Sequence, residues 1–192
     1  MKLKVAIIYG SVRSDRQGIK LVKFLSNQIE QKGIESIIVD PMEYRLPLLD
    51  KMHKEFPEGE APATMEAIHK ILKEADGYIV VSGEYNHSIP PALSNLMDHF
   101  QSEYFFKPAA LAVYSAGGFA GARVMPQLRT FISELGMVSI SSVFYVGKVQ
   151  EAFDDDGEDM TGTYVGRSTT FLNELEWYVK VLKEGNKYPK PY

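Results

Sequence analysis

The sequence predicts a doubly wound α/β fold: a five-stranded parallel sheet in the order 2-1-3-4-5 with helices on both faces. Five short apolar runs alternate along the chain with stretches whose apolar residues recur at helical spacing. Each parallel step needs a crossover, so such a series reads as consecutive βα units. The chemically distinctive loops follow the first, third and fourth runs, which this order places side by side. Their carboxyl ends flank the crevice where open sheets of this kind take a ligand.

Val5-Ala6-Ile7-Ile8-Tyr9 is apolar throughout, as expected of a strand buried on both faces. Ile19, Leu21, Val22, Leu25 and Ile29 then recur at helical spacing, and Gly33 suits the end of that helix. Ser36-Ile37-Ile38-Val39-Asp40 reads as the second strand. Met65, Ile68, Ile71, Leu72 and Ala75 form the next helical stripe, stopped by Asp76-Gly77, and Tyr78–Ser82 is the third strand. Pro90 and Pro91 fit the first turn of a helix carrying Leu93, Leu96, Met97 and Phe100. Ala109–Tyr114 is the fourth strand; Leu128, Phe131, Ile132 and Leu135 mark the helix after it, with Pro126 near its first turn and Gly136 at its end. Val138, Ile140 and Val143 suggest a fifth strand of less regular spacing, and Leu172, Leu175, Val179 and Leu182 a last helix ending near Gly185.

A chain of 192 residues builds one sizeable core and is short for two, so residues 1–192 are expected to form a single domain. Lys plus Arg total 21 and Asp plus Glu 25, a net charge of −4, which gives no electrostatic reason to expect a nucleic-acid partner. The absence of cysteine excludes disulfides, a Cys nucleophile and thiolate metal sites. The start runs straight into a short apolar stretch and Gly10, unlike a secretory signal, and no run is long enough to span a membrane. A cytoplasmic protein acting on small molecules is expected.

Residues 10–18, G-S-V-R-S-D-R-Q-G, combine hydroxyls, two arginines and a helix start, a setting that favours an anion. The loop is neither G-x-G-x-x-G nor a Walker A loop, so it suits a single phosphate group better than a nucleoside triphosphate. The plainer alternative is a polar turn with solvated arginines. Residues 83–90, G-E-Y-N-H-S-I-P, offer an aromatic ring and an amide to the edge of a planar heterocycle. Equally, Asn86 suits a turn and Ser88 a helix N-cap. Asn86-His87-Ser88 also matches the glycosylation triplet, read as chance without a secretory signal. Residues 115–123, S-A-G-G-F-A-G-A-R, let backbone approach a flat ligand closely.

With these three motifs in this order, the chain resembles the NADPH-dependent FMN reductases of flavodoxin-like fold; R-L-P-L-L-D at 45–50 and A-F-D-D-D-G at 152–157 are lesser echoes. The resemblance implies that Ser11, Arg13, Gln17, Gly18 and Ile19 hold the FMN phosphate region. It places Glu84, Tyr85, Asn86 and His87 along the ribityl chain and isoalloxazine ring, and Ser115, Gly117 and Gly118 on the ring's other side. Many relatives carry a small hydroxyl residue near Gln17, where this chain has Arg16-Gln17-Gly18; Arg13, Arg16 and Gln17 therefore stand as alternative phosphate ligands.

The activity implied is ping-pong hydride transfer from NADPH or NADH to FMN and on to a quinone, azo compound, flavin or metal species. No catalytic side chain is expected, because the cofactor carries the hard step. The rival is a flavodoxin-type electron carrier without its own NAD(P)H oxidation; its expected acidic docking surface and T-x-T-G-x-T loop are missing. No metal site is expected either. None of His53, His69, His87 and His99 forms H-E-x-x-H, and His69 and His99 read as ordinary polar helix positions. The acidic run Asp154–Asp159 fails the register of a calcium loop and reads as solvated. No G-x-S-x-G elbow occurs. Phe100, Tyr104, Phe105 and Phe106 are dense enough to serve both a core and a subunit contact, so a homodimer or homotetramer is expected.

Overall fold

The structure is a computed structural model describing residues 2–191; Met1 and Tyr192, the ends of the expected 1–192 domain, lie outside the described residues. Strands β1 (Lys4–Tyr9), β2 (Glu35–Val39), β3 (Gly77–Gly83), β4 (Pro108–Tyr114) and β5 (Val138–Val146) are parallel and pair in the order β2-β1-β3-β4-β5. Between and after them run α1 (Gly18–Gln31), α2 (Ala63–Glu74), α3 (Pro91–Asp98), α4 (Met125–Glu134), the single turn α5 (Val149–Ala152) and α6 (Tyr164–Gly185). This is the expected flavodoxin-like topology.

The apolar strands are continuous because both sheet faces are covered. Along β1, Val5, Ile7 and Tyr9 pack under α1 and α6, while Ala6 and Ile8 face α2, α3 and α4. Every residue of β3 and β4 is buried, which holds the carboxyl ends of the central strands rigid beneath the loops that leave them. Each fully buried Leu, Ile or Val contributes about 1.5–3 kcal/mol to that rigidity.

The irregular spacing of the fifth strand has a geometric cause. Ala109 pairs with Ser139 but Leu111 pairs with Val143, so β5 bulges and its apolar period breaks. The N–H groups of Ser141 and Ser142 turn to the Glu174 carboxylate of α6, at 2.9 and 3.0 Å. The helix α6 begins at Tyr164, earlier than its apolar stripe suggested, because Asp159 accepts from the N–H groups of Tyr164 (2.6 Å) and Val165 (3.1 Å). The acidic run is thus not merely solvated: Asp154 also gathers the N–H groups of Asp156 and Glu158.

Two further expectations need correction. Ser88 is not an N-cap; Pro90 holds that position before α3, and Ser88 pairs instead with Tyr85. His99 is no ordinary polar position: it follows α3, is fully buried, and donates Nδ1–H to the Asn95 carbonyl at 2.6 Å. Of the four aromatics near it, Phe100 and Tyr104 are core residues. Among the described residues, no helix is long and apolar enough to cross a membrane.

Candidate functional site

The loops after β1, β3 and β4 converge on one cleft of about 550 Å³ at the carboxyl edge of the sheet, within the range of small-molecule sites. The first loop contributes Ser11, Arg13, Asp15, Arg16 and Gln17, the second Gly83, Glu84 and Tyr85, and the third Ser115 and Ala116. Tyr114 forms the end of β4, and Val149 and Gln150 close the far wall from α5.

Within the first loop the two arginines have different tasks. Arg16 forms a bidentate pair with Asp40, just beyond β2, and also donates to the Ser11 carbonyl at 3.2 Å. Asp40 is 2% exposed, so Arg16 braces the loop from behind, and the bonds it donates to the Asp40 carboxylate hold its guanidinium even more firmly protonated than usual. Arg13 is exposed, with no ion pair among the described residues. Gln17 occupies the N-cap position of α1 without a capping side-chain bond; its amide donates instead to Asp15 at 2.7 Å. The first turn of α1 therefore keeps N–H groups available for an anion. Gly18 is buried and lies outside the lining: a Cβ there would stand 2.2 Å from Tyr114 Cζ, so glycine lets the Tyr114 ring pass under the start of the helix. Ile19 packs against the core.

The second loop is a two-residue hairpin. Tyr85 and Ser88 exchange backbone bonds at 3.1 and 2.9 Å, and Asn86 and His87 turn the corner with φ of 49° and 63°. Positive φ at two successive non-glycine residues costs energy. Gln127 of α4 offsets it by donating to the His87 carbonyl (2.7 Å) and accepting from the Ser88 hydroxyl (2.8 Å). Asn86 and His87 are exposed on the rim rather than in the cleft wall, and Tyr85 is the ring that faces inward. Glu84 lines the cleft, yet its carboxylate accepts from the N–H groups of Arg123 (3.0 Å) and Val124 (3.2 Å), fixing the third loop to the start of α4.

In the third loop, Ser115 donates to the Gly117 carbonyl at 2.8 Å, and Lys148 N–H reaches the same oxygen at 3.0 Å. Gly117 and Gly118 are exposed, outside the lining, and a Cβ on either would meet nothing within 4 Å. Beneath the cleft, the Tyr9 and Tyr114 hydroxyls stand 3.4 Å apart, and burial pushes both phenols above their ordinary pKa. Sequence reasoning missed Asp15, Gly83, Tyr114, Ala116, Val149 and Gln150. Tyr114 ends an apolar run and reads as core; Val149 and Gln150 open the single turn α5, a segment with no distinctive chemistry in the sequence.

A model of the NADPH-dependent FMN reductases matches residues 3–151. The chain belongs to this family. As an FMN reductase it is an NAD(P)H-dependent FMN oxidoreductase, and the electron-carrier alternative is not favoured. The quinone reductase of Escherichia coli K12 is 29% identical over 177 residues, 88% of each chain. The NADPH azoreductase of a Bacillus species is 24% identical, covering 96% of this chain and 97% of that one. Among solved structures, the flavoenzyme NAD(P)H:(acceptor) oxidoreductase FerB of Paracoccus denitrificans superposes with a TM-score of 0.73 at 24% identity, over 92% of this chain and 98% of FerB. The FMN reductase cleft fits its cofactor in chemistry: its lining brings together an uncapped helix start, the exposed Arg13, tyrosine rings and loop backbone.

Proposed function

We propose that this cleft seats FMN with its phosphate at the first loop and its ring between the second and third, and that the chain reduces quinones or azo compounds with NADPH or NADH. The observation that carries the reading is the convergence of three separate loops on one cleft lined by arginines, the uncapped start of α1 and tyrosine rings. Bound FMN supplies acceptance of a hydride from the nicotinamide and its delivery to the acceptor that follows. The chain's own residues bind and orient. Ser11, Arg13, Gln17 and the first N–H groups of α1 hold the phosphate, while Arg16 serves as the brace. Glu84, Tyr85, Asn86 and His87 flank one side of the ring and Ser115, Gly117 and Gly118 the other; no side chain is assigned a catalytic proton.

Relatives named for quinone and azo reduction support small-molecule acceptors. No nucleic acid or membrane is proposed as partner. The whole chain is proposed to be one flavin domain, cytoplasmic on the ground of its composition. A homodimer or homotetramer is proposed, on the density of aromatic residues at Phe100, Tyr104, Phe105 and Phe106.

The test is the visible spectrum of the purified protein, followed by anaerobic NADPH or NADH. The expected protein is yellow or takes up added FMN, bleaches with the donor and regains colour with benzoquinone. Arg13→Ala should weaken FMN binding by about 10-fold or more, the worth of a charge-assisted hydrogen bond. A colourless protein that refuses FMN would overturn the reading.

A further inference from the structure

The long excursion between β2 and α2 makes one 3-10 turn, His53–Glu55, which lies against α2 and against a second such turn, Ser102–Tyr104. His53, His69 of α2 and Glu103 meet there, on the helical layer and outside the cleft lining. We propose that these three side chains form a binding site for one divalent transition-metal ion of the zinc type.

One nitrogen from each imidazole and one Glu103 oxygen lie within 4.8 Å of one another. The His53 and His69 rings stack, centroids 3.9 Å apart and planes 9° apart; His69 Nδ1 is hydrogen-bonded to Glu103 Oε1 at 2.6 Å, and His53 Nδ1 lies 3.7 Å from the same oxygen. Glu103 is 7% exposed, with no Lys or Arg at ion-pair distance among the described residues. A carboxylate so buried needs partners: His69 Nδ1–H donates to Oε1 at 2.6 Å, and a metal ion in place of that proton would pair the charge. The other Glu103 oxygen is already oriented, accepting from Gln101 N–H at 2.9 Å.

The tautomer of His53 strengthens the case. Its Nε2 lies 3.3 Å from the Glu66 carboxylate, which only accepts, so Nε2 carries the proton. His53 Nδ1 is then left with a lone pair, 3.7 Å from Glu103 Oε1, and is free to ligate. Carboxylate, histidine and metal in line is the arrangement by which proteins orient a ligating imidazole. Two histidines and one glutamate are a zinc ligand set that leaves a fourth position for water. Tetrahedral bonds of about 2.1 Å need ligand atoms about 3.4 Å apart. His69 Nδ1 would therefore release its proton and draw back from 2.6 Å, His53 Nδ1 would draw in from 3.7 Å, and the stacked rings would turn out of parallel to bring both lone pairs onto the ion. Both imidazoles are partly exposed, at 17% and 23%, which gives an ion its way in. The ligands stand 16 and 34 residues apart in sequence, so no motif announces them. Bound, the ion would clip the long excursion to α2 and restrain a costly loop.

The test uses tag-free, FMN-loaded full chain, stripped with chelator and titrated calorimetrically with Zn²⁺. One equivalent is expected to bind, with a rise in Tm. His53→Ala and His69→Ala should each weaken binding by more than about 10-fold, with flavin absorbance retained. Absence of stoichiometric binding, or binding that survives both substitutions, would overturn the site and show a network bridged by protons alone. Flavin content in the same samples reads the cofactor assignment separately.

Discussion

Gly18 decides the shape of the cleft floor. A methyl group there would lie 2.2 Å from the Tyr114 ring, so the ring or the start of α1 would have to move. Gly18→Ala should cost about 1–3 kcal/mol, the range for overpacking a tight site, and weaken FMN binding; chemical denaturation and flavin-fluorescence titration check the two effects. The arginines should part in the opposite sense. Arg16→Ala leaves Asp40 buried and unpaired, and about 3–5 kcal/mol of stability should go with it. Arg13→Ala removes an exposed side chain and should change stability by less than about 0.5 kcal/mol while it loosens FMN. In the sequence these arginines look alike, three residues apart in one loop. Only Asp40, brought alongside by the pairing of β2 with β1, tells them apart.

At the scale of elements, the end of α2 is held by Lys107, whose Nζ donates to the carbonyls of Leu72 (2.7 Å) and Lys73 (2.9 Å). Burial, with help from Lys190, pushes its pKa down to about 8 from 10.5. The folded protein therefore holds fewer protons than the unfolded chain between those two values, and stability rises with pH across that window. The penalty is fully present below pH 8 and approaches about 3 kcal/mol. Lys107→Met should flatten this part of the profile; denaturation at pH 7, 8, 9 and 10 compares the two proteins, and the difference cancels the tyrosines that titrate nearby. Most elements were legible because apolar period and turn residues agreed, as in β1, α1 and β4. The start of α6 and the course of β5 were not, since Asp159 and Glu174 act through backbone N–H groups that no side-chain pattern marks.

For the whole molecule, the order of the sheet set the cleft apart from everything else. The rule that ligands sit at the carboxyl ends beside the switch point could be applied before any contact was known. No comparable rule gathers His53, His69 and Glu103, which meet only once the helices are packed. The two sites share no residue, so stabilisation by FMN and by Zn²⁺ should add within about 0.5 kcal/mol. Unfolding scans with neither, either and both at saturation check this; each ligand at about 100 times its Kd should contribute about 2.7 kcal/mol.

Gly117 and Gly118 stand at the mouth of the cleft with empty space where a side chain would go, and neither adopts a φ that only glycine tolerates. Their identity is thus free of any folding requirement, unlike that of Gly18. Variation at these two positions can reshape the entrance while the scaffold and the phosphate seat stay intact. The acceptor range of such a protein can drift, or be redirected in the laboratory, one rim residue at a time and without a matching loss of fold.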